Sequence, residues 1–322
     1  MARRAFFAFV ALLLVIGLPL LVAPWFGIGS PRGAPVTITI DKGSSLAAVS
    51  DDLERAGLVD SPRQFRLLAR VLGGPDPVQA GTYRLIPGDS WRHYLRIMQE
   101  GRIERVSLTI PEGMPSVLVA ERLRAEPRLT GAVAIPAEGS VLPETYEFTP
   151  GEPRAAVLAR MQAAMTKTVA ELWPARSERA VVTTPEAAVT LASIVEKETG
   201  KPAERRTVAG VYGNRLAQGM KLDADPTVIY PITKGKPLGR RIRRSELAAD
   251  TGYNTYLKPG LPKGPIANPG RASIAAVLDP APTDALYFVA DGSGGHVFAN
   301  SLGEHNANVA KWYALRRQRG EM

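Results

Sequence analysis

One carboxylate in the second half of the chain, Glu196, is the residue best placed to do chemistry. An apolar run, Leu191-Ala192-Ser193-Ile194-Val195, leads directly into Glu196-Lys197-Glu198-Thr199. If the run is helical, Glu196 shares a face with Ala192 and Ser193, while Glu198 lies about 200° away around the axis. Small neighbours leave room for a ligand beside Glu196. An apolar surround would raise its carboxyl pKa, as a general acid working near neutral pH requires. The same residues also read as an ordinary solvated helix end, with Lys197 and Lys201 as charge partners. Residue types alone leave both readings open.

Other groups are less pointed. Asp223 and Asp225 could coordinate a cation, but two carboxylates without further oxygen ligands make a weak site, and no metal site is expected. Tyr253-Asn254-Thr255-Tyr256 is the densest cluster of aromatic and amide groups. Aromatic faces suit the C–H surfaces of sugars and amides suit their hydroxyls, although a structural loop would use the same residues. His296, after Gly294-Gly295, reads as structural, and Arg240-Arg241-Ile242-Arg243-Arg244 as solvated surface. Phosphate-binding, dinucleotide-binding and G-x-S-x-G patterns are absent.

The elements that must position these groups follow from periodicity and turn chemistry. A unit recurs three times: a strand-like run, a glycine turn, and a polar residue opening a helix. Its copies run Ile38 to Leu46 through Gly43, Tyr83 to Trp91 through Gly88, and Leu108 to Ser116 through Gly113. Glycine suits a turn with positive φ, and Ser45, Ser90 and Ser116 are placed to cap the helices that follow. Beyond Glu138 the texture changes. An amphipathic helix is expected over 153–170. Thr184-Pro185-Glu186 then opens the helix that carries the two glutamates, and another spans 203–218. Residues 222–270 are punctuated by Pro and Gly and are too long for an idle connection, which marks them as site-forming. Leu286–Ala290 and His296–Ala299 read as a hairpin, and a last helix covers 302–317. The fold class is α+β.

Composition narrows the chemistry. The 322 residues exceed a single average domain. Hydrophobic residues make up 45%, so the bulk is globular. There are no cysteines and only three histidines, which removes disulfides, thiolate metal sites and cysteine nucleophiles. The formal charge of +9 is a mild excess, compatible with an anionic polymer or a membrane surface and not diagnostic of nucleic acid. At the N-terminus, Arg3-Arg4 precede an uncharged run, Ala5–Phe26. It is long enough to span a bilayer, and the arginines would hold Met1–Arg4 in the cytoplasm with the remainder outside. A cleaved signal peptide is the rival reading. Trp25 and Phe26 fall where an interfacial aromatic belt would lie.

Taken in order, these motifs resemble the YceG-like family of membrane-anchored endolytic murein transglycosylases. The resemblance is carried by Ala192-Ser193-Ile194-Val195-Glu196-Lys197-Glu198-Thr199, Asn214-Arg215-Leu216, Leu222 through Tyr230, Tyr253 through Tyr256, Pro265-Ile266-Ala267-Asn268-Pro269-Gly270, and Tyr287 through Phe298. One departure is Glu138-Gly139-Ser140-Val141-Leu142-Pro143-Glu144-Thr145-Tyr146, where relatives are richer in aromatic residues; it bears on subsite preference.

The resemblance implies a layout and a reaction. Residues 1–26 would be a cytoplasmic stub and transmembrane anchor, 27–35 a linker, 36–107 a LysM-like module, and 108–322 a mixed α/β catalytic domain. The reaction would be non-hydrolytic cleavage of the MurNAc–GlcNAc β-1,4 bond within a glycan strand, leaving a 1,6-anhydro end. Glu196 maps onto the catalytic glutamate, acting first as acid and then as base. Asp225, Tyr253, Asn254 and Tyr256 are candidates for holding the glycan, with no metal or cofactor. Location would be the inner membrane, single-pass, with the bulk periplasmic. Partners would be peptidoglycan strands, the membrane and peptidoglycan synthases, and not nucleic acid. A non-catalytic peptidoglycan-binding anchor and a hydrolytic muramidase are the alternatives.

Overall fold

The computed structural model describes residues 13–29 and 32–321. The chain divides into two compact units. The first comprises residues up to Val106 with Glu147–Pro150, and the second Ser107–Tyr146 with Gly151 onward. The expected anchor begins outside the described residues. Its described part is three short helical turns, Leu13–Gly17, Leu18–Val22 and Ala23–Phe26. Among the described residues no helix is long and apolar enough to cross a membrane.

In the first unit, β1 (Val36–Ile40) pairs antiparallel with β2 (Gly81–Leu85), Val36 opposite Leu85 and Ile40 opposite Gly81. Helices α1 (Leu46–Arg55), α2 (Pro62–Leu72) and α3 (Trp91–Gln99) complete the unit. The turn glycines adopt the left-handed backbone as their spacing implied, Gly43 at φ 85° and Gly88 at φ 92°. Ser45 and Ser90 cap α1 and α3 by accepting from Ala48 N and His93 N, each at 3.2 Å. Helix α2 lacked a signal that sequence reading picked up, although Ser61 and Pro62 begin it as cap and first residue.

The core of this unit gathers Ile38, Ile40, Val49, Leu53, Phe65, Tyr83, Trp91 and Met98, with Phe65 set edge-on to Trp91 at 5.9 Å. Trp25 belongs to the same core and is 1% exposed, whereas Phe26 is exposed. The aromatic-belt expectation therefore fails for Trp25, which is spent on packing.

Strand β3 (Val106–Thr109) pairs with β4 (Thr145–Phe148). The second unit then runs through α4 (Ser116–Ala125), α5 (Arg154–Leu172), α6 (Pro185–Glu198), α7 (Arg205–Ala217), α8 (Asp225–Thr233), α9 (Arg271–Leu278), the antiparallel hairpin β5 (Tyr287–Ala290) and β6 (His296–Ala299), and α10 (Leu302–Gln318). Ser116 departs from the repeat. Pro115 is the cap residue of α4, and the Ser116 hydroxyl donates instead to Ala137 O at 3.1 Å.

Helix α6 is the spine of the unit. Thr184 caps it by accepting from Ala187 N at 3.1 Å, and every residue from Ala188 to Val195 is buried. Its neighbours are α7, through Val208, Ala209 and Tyr212, and α9, through Ile274, Ala276 and Val277. Between its first turn, where Glu186 is exposed, and its last, α6 has no solvated flank. That last turn is where Glu196, Lys197 and Glu198 emerge.

Candidate active site

Glu196 and Glu198 leave the end of α6 into different surroundings. Glu196 Oε2 accepts from Gly270 N at 2.8 Å, and Oε1 lies 3.6 Å from the Arg205 guanidinium. Arg205 also reaches Glu112 at 3.4 Å. The Glu196 side chain is 6% exposed. Glu196 thus accepts one hydrogen bond from the 265–270 segment and lies beside the Arg205 charge of α7, so it joins α6 to both.

The room expected beside Ala192 and Ser193 is filled. Both are 0% exposed, and Ser193 Oγ accepts from Ile266 N at 3.0 Å while donating to Thr190 O at 2.7 Å. The 265–270 segment is pinned by Asn268, which is wholly buried. Its Nδ2 donates to Met114 O at 2.9 Å and to Ser116 Oγ at 3.0 Å, and its Oδ1 accepts from Val141 N at 3.0 Å.

Glu198 instead lines a cavity of about 570 Å³, together with Tyr212, Arg215, Asp223, Asp225, Tyr256, Tyr287 and His305. Burial pushes the Glu198 carboxyl up to about 7; the Tyr212 hydroxyl, hydrogen-bonded to it, opposes the rise, and the negative charge of Asp225 adds to it. The group therefore carries a proton across a range in which an ordinary glutamate has lost it.

The two other carboxylates of the cavity, Asp225 and Asp223, are both held in place. Asp225 opens α8, and its Oδ1 accepts from the Tyr256 hydroxyl at 2.7 Å. Burial and this bond push the Tyr256 phenol upward. The turn before α8 is locked by Thr255, whose Oγ1 accepts from Ala224 N at 3.1 Å and meets Thr227 Oγ1 at 2.9 Å. Asp223 holds a left-handed backbone, φ 51°, unusual for a residue other than glycine, and pairs with Arg215 at 3.0 Å.

Of the residues expected at the site, Asp225 and Tyr256 come together with Glu198, and Glu196 does not line this cavity. Asn254 is corrected to a loop staple. Its Nδ2 donates to Leu247 O at 2.8 Å and Ala249 O at 3.0 Å, and its Oδ1 accepts from Tyr256 N at 3.0 Å. Both amide hydrogens are used inside the protein, so it has no free donor for a sugar. Tyr253 packs against Tyr230 at 4.9 Å with the Lys263 ammonium 4.8 Å from its ring, outside the Glu198 cavity.

Tyr212, Arg215, Tyr287 and His305 were not singled out by sequence reasoning as site residues. His296 is structural: its ring meets Glu204 Oε2 at 2.8 Å and its amide donates to Glu204 Oε1 at 3.1 Å. Among the described residues no group of three or more His, Asp or Glu is placed to hold a metal ion.

A partly buried acid at a helix end, a second carboxylate held by a phenol and a tyrosine-rich wall make up a site suited to general acid–base chemistry. A sequence model of the YceG-like family matches residues 38–311, and the chain belongs to that family. The endolytic murein transglycosylase of Bacillus subtilis (strain 168) is 28% identical over 316 residues, 88% of this chain and 86% of the relative. The endolytic murein transglycosylase of Streptococcus pneumoniae serotype 2 (strain D39 / NCTC 7466) is 29% identical over 325 residues, 86% of this chain and 58% of the relative. A crystal structure of a YceG-like protein from Listeria monocytogenes is similar with a TM-score of 0.53 and 28% identity, over 86% of this chain and 99% of that one.

Proposed function

We propose that the chain is an endolytic peptidoglycan lytic transglycosylase and that Glu198, not Glu196, is its acid and base. The observation that carries this reading is the carboxyl of Glu198, raised to about 7 in a cavity shared with Asp225 and Tyr256. The names of the relatives support the reaction class.

Glu198, protonated, gives its proton to the glycosidic oxygen as the bond from C1 of the muramoyl residue breaks. Positive charge gathers at C1, and the negative charge of Asp225 in the same cavity stabilises it. The carboxylate of Glu198 then takes the proton of the C6 hydroxyl of the same residue, whose oxygen bonds to C1 and closes the 1,6-anhydro ring. The acid ends re-protonated and no water is consumed. Because the nucleophile belongs to the substrate, its effective concentration is high without any binding subsite for water.

A second reading has one observation in its favour. Asp225 is a second carboxylate in the cavity, as a hydrolytic muramidase requires. The first unit, read as a LysM-like module over 36–107, and the apolar N-terminal run, read as an inner-membrane anchor with the catalytic domain over 108–322 in the periplasm, complete the proposal, and a peptidoglycan synthase is the partner such a location favours. Mass analysis of soluble products from purified sacculi tests the function. Wild type should release anhydro-muramoyl fragments and Glu198→Gln none. Release by both, or by neither, defeats the proposal, and a chain that only binds sacculi is a peptidoglycan-binding anchor.

A further inference from the structure

None of these steps uses His305, yet it lines the same cavity as Glu198. Its position is built. Ser301 caps α10 by accepting from Glu304 N at 3.2 Å, Glu304 Oε2 accepts from Asn300 N at 2.9 Å, and His305 N donates to Ser301 O at 3.0 Å. The imidazole stacks on Tyr287, with ring centroids 5.2 Å apart and planes 28° from parallel.

Tyr287 in turn lies 5.1 Å from the Arg215 guanidinium. Arg215 is fixed by Leu286 O at 2.6 Å, Lys221 O at 3.0 Å and Asp223 at 3.0 Å. Three side chains from α7, β5 and α10 therefore form one wall, and the His305 ring has little freedom in it.

The two ring nitrogens are not equivalent. His305 Nδ1 is buried and has no hydrogen-bond partner. Protonated or not, Nδ1 is a buried polar atom with nothing to meet, so the ring can make a polar contact only through Nε2, where a neutral imidazole also intrinsically prefers to carry its proton. The proton therefore rests on Nε2, the nitrogen left to face the cavity. Burial and the nearby positive charge of Arg215 both push the imidazole down from its ordinary value, which keeps the ring uncharged at neutral pH.

We infer that His305 is a substrate-binding residue that donates its Nε2–H to an acceptor oxygen of the aminosugar held in the Glu198 cavity. The inference rests on the reading of that cavity as a glycan site. A donor with one fixed direction and no charge selects an oxygen in one place, a carbonyl of an acetamido group or a sugar hydroxyl, without competing with Glu198 for the role of acid.

The chain has three histidines, so the full-length protein with ¹⁵N-labelled histidine gives a spectrum simple enough to read. Free His305 should show an unprotonated Nδ1 and a protonated Nε2. Soluble disaccharide–peptide fragments of murein should move the Nε2 signal of His305 and leave those of His93 and His296 in place. Binding of the same fragments to variants completes the test, because a glutamine amide reaches the position of Nε2 and an asparagine amide that of Nδ1. His305→Gln should bind within about threefold of wild type, and His305→Asn and His305→Ala about tenfold more weakly, the loss of one neutral hydrogen bond. A proton on Nδ1, no movement of the His305 signal, or equal affinities across wild type and the three variants would overturn the inference. Absence of cleavage by wild type would defeat the catalytic reading alone, since tautomer and fragment binding are read without turnover.

Discussion

The Tyr256 hydroxyl donates to Asp225 Oδ1 over 2.7 Å, and the effect of that bond falls on Glu198. It fixes a carboxylate in the cavity, and the negative charge of Asp225 is one of the causes that raise the Glu198 carboxyl. Replacing Asp225 by Asn removes the charge and leaves the shape. Glu198 should then ionise more readily, and the alkaline limb of the pH–rate profile should move toward lower pH. A profile for Asp225→Asn that coincides with wild type would show that the two groups do not act on each other.

The two glutamates of α6 should respond oppositely to amidation. Glu198→Gln removes the proton donor, and turnover of murein should drop by roughly 10²–10⁴-fold with the melting temperature held or raised. Glu196→Gln leaves the cavity intact but weakens the join to Arg205 and Gly270, two partners held from α7 and the 265–270 segment. It should retain most of its turnover and lose about 1 kcal/mol of stability. Kinetics and thermal melts of both variants separate these outcomes, and a swap between them would return the acid role to Glu196.

Linkage gives Glu198 a signature in stability as well. A carboxyl raised to about 7 in the fold and ordinary in the unfolded chain binds its proton more tightly when folded. The stability it contributes is present below the unfolded value and is lost as pH rises through about 7. Glu198→Gln cannot ionise. It should therefore be more stable than wild type at pH 8, by on the order of 3 kcal/mol, and the difference should vanish near pH 4. Denaturant titrations at the two pH values measure it, and a difference independent of pH would mean that the carboxyl is not raised.

Asn268 predicts a purely structural loss. It is fully buried, it ties Met114, Ser116 and Val141 to the segment that packs on Ser193, and no apolar side chain can satisfy those partners. Asn268→Leu should cost about 3 kcal/mol by leaving several buried groups unpaired. Its melting temperature should fall well below that of wild type, and an unchanged midpoint would show that the hub is not needed.

Local chemistry was legible before the fold. The Gly43, Gly88 and Gly113 turns, the Ser45, Ser90 and Thr184 caps and the hairpin of β5 and β6 depend on neighbours within a few residues. Helix α8 was hidden because Pro226 and Pro231 interrupt the usual signal, although its first turn tolerates a proline and Tyr230 and Val228 still face the core. The choice between Glu196 and Glu198 could not be made on the helix alone. Ala192 and Ser193 looked like open space, and what fills that space is the 265–270 segment, more than seventy residues further along. Likewise Tyr287 and His305 reach the cavity only because the hairpin folds back beside α7 and α10 packs on the hairpin. Asn254 shows the converse: its residue type suits a sugar, but its hydrogen bonds go to the backbone of its own loop.

Oxygen-18 water tests the central proposal most directly, because it asks whether the nucleophile comes from solvent or from the sugar. Digestion of murein in labelled water, followed by mass analysis of the new muramoyl ends, gives the answer in one experiment. Ring closure by the C6 hydroxyl, with Glu198 as the only proton carrier, predicts ends about 18 Da lighter than hydrolytic ones and free of label. Label at the new muramoyl C1 would mean that water attacks, and the site would then be that of a hydrolase in which Asp225 serves as the second carboxylate.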